Sequence, residues 1–341
     1  NPHTLKLFEM SNVKRFSSFT LRLFSVALLV QCLIFIKYGF AITSDNPSEA
    51  KTSMYDGGGV IIRRFLWTVM PYITVCIALI LFVGYRRKLH SFIFFITIIM
   101  LVLGGSKSAL LPVIFAISLL AFHNIFFNAK LIRKVYRILL IIFVLALASA
   151  IFVLSIESDN NINIAMFKLF NRLLFNGDVV LYYYEPSVYQ YFKDLNLLDF
   201  IYHILNGPLG MLRLVPYELP HGYTMVSIYN GGVLPFDSIL GPNTPFYVIA
   251  DIYFGPYFGW LYSLILGLFF GFIRRIFVRY KGRNMFVFSF LIFLVLISFQ
   301  LITEVSSFFS TIFEFVLFVS PVFILYFFIR LTQGLTLRVV I

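Results

Sequence analysis

Residues 138–156 read ILLIIFVLALASAIFVLSI, and residues 157–166 read ESDNNINIAM. Nothing in the first run is more polar than Ser149 and Ser155, and its length matches the roughly 17 to 25 residues a helix needs to cross a bilayer core of about 30 Å. Hydrated sequence follows at once. The pattern predicts a membrane-crossing helix that delivers the chain into a long polar interval, Glu157 to Pro245.

Further apolar runs predict spans at Phe19 to Ile42, Phe65 to Gly84, Leu89 to Gly105, Ser108 to Phe127, Asn243 to Arg275, Met285 to Thr303 and Val305 to Arg330, eight in all with the first. A composition of 60% hydrophobic and only 12% charged residues, with 43 phenylalanines, excludes an ordinary soluble domain. A membrane β-barrel would show short alternating segments. The expected fold is therefore all-α and polytopic: one integral membrane domain over 1–341, with 157–245 a large external loop region containing short helices. Cys32 and Cys76 fall within predicted spans and read as small apolar residues.

The net charge of +12 reports topology rather than nucleic-acid binding. With the amino terminus in the cytoplasm, alternate connections gather Lys14, Arg15, Arg86, Arg87, Lys88, Arg133, Lys134, Arg137, Arg274, Arg275, Arg279 and Lys281 on one side. Of the acidic residues only Glu9 joins them, so the positive-inside rule places both termini in the cytoplasm. The polar interval then faces outward. No nucleic acid is expected as a partner.

That interval is too long for an ordinary connection, and it is too rich in aromatic and aliphatic residues for disorder. It carries Arg172, Asp178, Glu185, Arg213, Glu218 and His221 among many tyrosines. Sequence signals of familiar chemistry are missing: no phosphate loop ending Gly-Lys-Ser/Thr, no His-Glu-x-x-His, no Gly-x-Ser-x-Gly. What remains is cations, tyrosines and isolated carboxylates on one face, with no metal site or cofactor expected.

Guanidinium groups suit phosphate because their planar fork keeps its charge. Arg172, Arg213 and Lys107 are the candidates for binding a lipid pyrophosphate at the outer leaflet. Arg172 with Lys168 also fits an interfacial-helix anchor, and Lys107, at a hairpin tip, also fits snorkelling to headgroups. Arg213, flanked by Gly207, Pro208, Gly210 and Pro216, predicts irregular backbone. His221, between Pro220 and Gly222, predicts an exposed turn with a proton acceptor of pKa near 6.5. Glu185, Glu218, Asp178 and Asp251 compete as bases. Asp251 falls about two turns into its span, where an ionisable group needs a partner or a wet cavity. Tyr182, Tyr183 and Tyr184 fit an interfacial aromatic belt and equally a platform for sugar rings. The glycines at 255, 259, 267 and 271 predict a face that lets another helix approach closely.

The stretch Gly241, Pro242, Asn243, Thr244, Pro245, then Asp251, Gly255 and Gly259 through to Arg274 and Arg275, resembles the bacterial O-antigen polymerases. The hairpin tip Gly104, Gly105, Ser106, Lys107, Ser108 is similar to that family's Gly-Ser-Arg-Ser turn, with Lys107 where an arginine is common. The resemblance implies a metal-independent, membrane-embedded glycosyltransferase of the bacterial inner membrane with its active face in the periplasm. It would move a growing glycan from undecaprenyl pyrophosphate onto the non-reducing end of an incoming lipid-linked repeat unit. His221, Glu185 or Asp251 would act as base, and Tyr182, Tyr183, Tyr184, Tyr223 and Asn243 would hold glycan. Lipid-linked donor and acceptor, membrane lipids and a polysaccharide chain-length regulator are the implied partners. The same residues leave an O-antigen ligase or a flippase of lipid-linked oligosaccharides as alternatives.

Overall fold

The computed structural model describes residues 8–44, 60–104, 110–123, 125–126, 129–158, 161–174, 178–232, 243–281 and 284–339. The helices, in order, are α1 (Met10–Tyr38), α2 (Val60–Val83), α3 (Arg87–Leu103), α4 (Leu111–Phe122), α5 (Ala129–Ile156), α6 (Ile162–Leu174), α7 (Asp178–Tyr183), α8 (Pro186–Phe192), α9 (Leu197–Met211), α10 (His221–Tyr229), α11 (Phe246–Arg279), α12 (Met285–Ser298), α13 (Gln300–Thr303) and α14 (Val305–Val339). No strand occurs among the described residues.

This is a polytopic, all-α membrane protein. Among the described residues, six stretches are long and apolar enough to cross a bilayer: Met10–Tyr38, Ile61–Val83, Ile132–Ile156, Phe246–Arg279, Met285–Thr303 and Val305–Phe328. The other two expected spans are shorter. Helix α3 has 17 residues, whereas α4 has 12 and rises only about 18 Å. The full crossing expected from Ser108 to Phe127 is thus not one helix, because the backbone turns extended at His123.

The chain divides into two compact units. The first comprises Asn1–Val153, Phe277–Leu296 and Glu314–Ile341. Its hub is α2, which packs against α1, α3 and α4 and buries Ile73, Ile77 and Ile80 completely. A helix that is apolar on every side is stable only when surrounded. Two buried polar clusters inside this unit are matched. Glu314 accepts from Arg64 at 3.0 Å and from the Thr68 hydroxyl at 2.6 Å, and the hydroxyls of Tyr72 and Ser289 pair at 3.1 Å.

The second unit comprises Leu154–Ile276 and Ile297–Phe313. Here α7, α8 and α10 pack on one another through buried Val179, Tyr183, Val188, Phe192 and Met225. Helix α9 starts in a capping box, in which Asn196 and Asp199 each satisfy a backbone amide. Gly207 on α9 has no side chain because the Ser310 hydroxyl occupies that space.

Helix α11 departs from the expected continuous span. Gly255 takes φ 70°, ψ 173° and is followed by Pro256, a conformation open mainly to glycine. A Cβ at Gly259 would sit 3.5 Å from that of Ala250, whereas nine residues of straight helix rise about 13.5 Å. The leg 246–254 therefore folds back on the leg that follows. A Cβ at Gly267 or Gly271 meets nothing within 4 Å, so the expected close helix approach is absent there among the described residues.

Candidate functional site

The first leg of α11 carries Tyr253, and its hydroxyl hydrogen-bonds Nε2 of His221. His221 is the first residue of α10 and is 8% exposed. The exposed turn expected there is a buried helix start, because the helix packs its amino-terminal residues His221, Gly222 and Tyr223 inward. The His203 ring, from α9, stacks on His221 with centroids 4.1 Å apart and planes at 16°, and Phe192 meets it edge-on at 5.2 Å. Burial first, then the neighbouring His203, holds His221 well below the usual histidine value. At neutral pH it is an uncharged imidazole, with one ring nitrogen free to accept a proton.

Behind the histidines lies Glu304, in the break between α13 and α14, where the backbone is extended (φ −163°, ψ 99°). It is 7% exposed. A buried carboxylate needs donors. One oxygen accepts from the Thr244 amide at 3.2 Å, the other from the Ser306 hydroxyl at 3.0 Å. Nε2 of His203 stands 3.7 Å from Oε1, too far for a direct hydrogen bond. Among the described residues, four buried atoms of this unit have no hydrogen-bond partner: Oγ of Ser158, Nε2 of His203, Oη of Tyr262 and Oε1 of Gln300. Tyr262 also lies in the field of Glu304. Unmatched buried polar groups are costly and each calls for an explanation.

Asp251 forms a second cluster. It is partly exposed, on the folded-back leg of α11, and interacts with the hydroxyls of Tyr183 and Tyr184. Burial and then the Asp251 charge push Tyr183 above the usual tyrosine range. Tyr183 is 2% exposed and Tyr184 61%, so only Tyr184 offers a ring to a ligand. Tyr182 meets Tyr229 edge-on at 5.0 Å, Tyr223 is buried in α10, and Asn243 is exposed beside Thr244. Glu185 is the exposed N-cap of α8 and caps no amide with its side chain.

Arg213 follows the end of α9. Gly207, Pro208 and Gly210 lie inside that helix, so the expected irregular backbone is confined to the residues beyond it. Arg213 has φ 58°. Its amide donates to the Gly210 carbonyl at 3.0 Å, and the Leu214 amide donates to Leu209 at 3.0 Å. This is a Schellman motif with arginine where glycine is usual. The guanidinium is exposed, and no ion pair or hydrogen bond from it occurs among the described residues. Arg172 lies on α6, but its side chain is outside the described residues, as are Lys107, Gly105, Ser106, Ser108, Gly241 and Pro242.

The structure thus joins His221 to Tyr253 and Asp251 to Tyr183 and Tyr184. It adds His203, Thr244 and Glu304, to which the sequence reading gave no role. Glu304 did leave a trace: it is the only acidic residue between Asp251 and Glu314, in a short turn with no cation beside it. Compared with protein-family models, characterised proteins and solved structures, the chain matches none.

Proposed function

We propose that this protein polymerises lipid-linked oligosaccharide repeat units at the periplasmic face of the bacterial inner membrane, as a glycosyltransferase using a polyprenyl-pyrophosphate donor. The observation that carries the reading is the uncharged, buried His221 bonded to the Tyr253 hydroxyl, in a loop-built unit of a polytopic membrane chain. An imidazole that is uncharged at neutral pH has a lone pair available to take a sugar hydroxyl proton.

The acceptor hydroxyl gives its proton to His221 by way of the Tyr253 hydroxyl, and its oxygen bonds to the donor's anomeric carbon. The bond from that carbon to the pyrophosphate oxygen breaks, and undecaprenyl pyrophosphate leaves. Developing charge on the leaving group is met by Arg213, with Arg172 and Lys107 as further cations. Tyr184 and Asn243 are the exposed groups of the predicted glycan set.

The test is incubation of the purified chain with undecaprenyl-pyrophosphate-linked repeat units in the presence of chelator, followed by gel analysis of the glycan. A ladder is expected. A folded chain that leaves single repeats unjoined overturns the reading, and added lipid A core or vesicle flux then tests ligation or transport.

A further inference from the structure

Helix α10 begins with an unusual deficit. The first amides of any helix lack partners within it, and the N-cap here is Pro220, whose side chain offers no acceptor. Ser, Thr, Asp or Asn normally fills that role. Instead, the Gly222 amide donates to Oγ1 of Thr244, 22 residues further along the chain, at 3.0 Å. Thr244 is fully buried. Its own amide donates to Glu304, 60 residues further on, and Pro245 behind it fixes an extended backbone. The carbonyl of Pro245 then accepts from Val248 and Ile249 and starts the leg that carries Tyr253.

One threonine therefore fixes both halves of the His221–Tyr253 pair. Its hydroxyl holds the start of the helix bearing His221, and the proline that follows it holds the start of the leg bearing Tyr253. Glu304 anchors the threonine. We propose that Thr244 and Glu304 are positioning residues that set the orientation and hydrogen bonding of the His221 imidazole, with Thr244 serving as a helix cap supplied from outside the helix. The catalytic consequence rests on the function proposed above; the positioning itself does not.

The charged and titratable groups around this pair are His203 and Asp199 from α9, Glu218 from the segment before α10, and Tyr262 and Glu304. Asn206 pins the 216–218 segment by bonding the Pro216 carbonyl and the Glu218 amide, at 3.0 and 2.9 Å. The approach to His221 from that side is thus fixed independently of Thr244.

The experiment uses the full chain in nanodiscs with ¹⁵N-labelled histidine, assigning His221 by its loss in H221Q. The parent is expected to show His221 in one fixed tautomer, held by Tyr253. In T244V, which keeps the shape and removes the acceptor, the two ring-nitrogen signals should average toward each other. T244S, which restores the hydroxyl, should return them. E304Q should produce the T244V pattern in weaker form, and it serves alone if T244V does not fold. In the ladder assay T244V should lower kcat about tenfold with KM little changed, and T244S should recover most of that loss. A fixed His221 tautomer in both T244V and E304Q overturns the proposal. The expected spectra without any ladder from the parent would instead leave the positioning standing and remove the polymerase reading.

Discussion

Two buried glutamates ten residues apart, Glu314 and Glu304, belong to different units and have opposite surroundings. Glu314 is matched by a guanidinium and a hydroxyl, at 3.0 and 2.6 Å. Glu304 has an amide and a hydroxyl but faces an imidazole at 3.7 Å, among buried polar atoms that have no partner. A saturated polar cluster holds helices together in a medium where unpaired charge is expensive. An unsaturated one keeps donors and acceptors available, which stability alone would not select. The first arrangement reads as structure and the second as a site.

R64M leaves Glu314 buried without its cation, and losing one partner of such a pair costs about 3 kcal/mol. Thermal melting in nanodiscs should show a large drop, which R64M with E314M together should largely reverse. A melting point unmoved by R64M would mean that Glu314 is not held as described.

The unsaturated cluster should reveal itself through pH. Because the folded-state pKa of His221 lies below its ordinary value near 6.5, protons favour the unfolded chain. Its contribution is harmless above about pH 6.5 and destabilising below it, at up to about 1.4 kcal/mol per pH unit, until the folded-state pKa is passed. Melting temperature should fall with acidification across that window, and H221Q should flatten the fall. Identical pH profiles for parent and variant would contradict the buried, uncharged His221.

Arg213 sharpens the contrast on a smaller scale. Glycine suits its left-handed backbone better by about 1 kcal/mol, so R213G should melt slightly higher while making less polymer. A gain in one and loss in the other would mark a residue kept for its guanidinium against the preference of its backbone. Lower melting, or unchanged polymer, would remove that interpretation.

Much of the architecture was legible because each membrane helix announces itself locally, as 138–156 does. The same local logic failed where distant residues decide the outcome. His221 looked exposed beside Pro220 and Gly222, yet α8 and α9 bring Phe192 and His203 onto it. His203 and Glu304 are 101 positions apart, and nothing in either neighbourhood signals the other. The Gly255–Pro256 break has its residues in plain sight, but regular glycine spacing fits helix packing equally well. Thr244 stood in the quoted motif without a role, since its acceptor duty depends on a helix start 22 residues earlier.

On the proposed function, the cluster around His221 performs the transfer. The most direct test is the initial rate of ladder formation by parent and H221Q, with melting temperature recorded on the same samples. H221Q should lose about a hundredfold or more with the fold retained. A folded H221Q that polymerises at the parental rate would contradict that role.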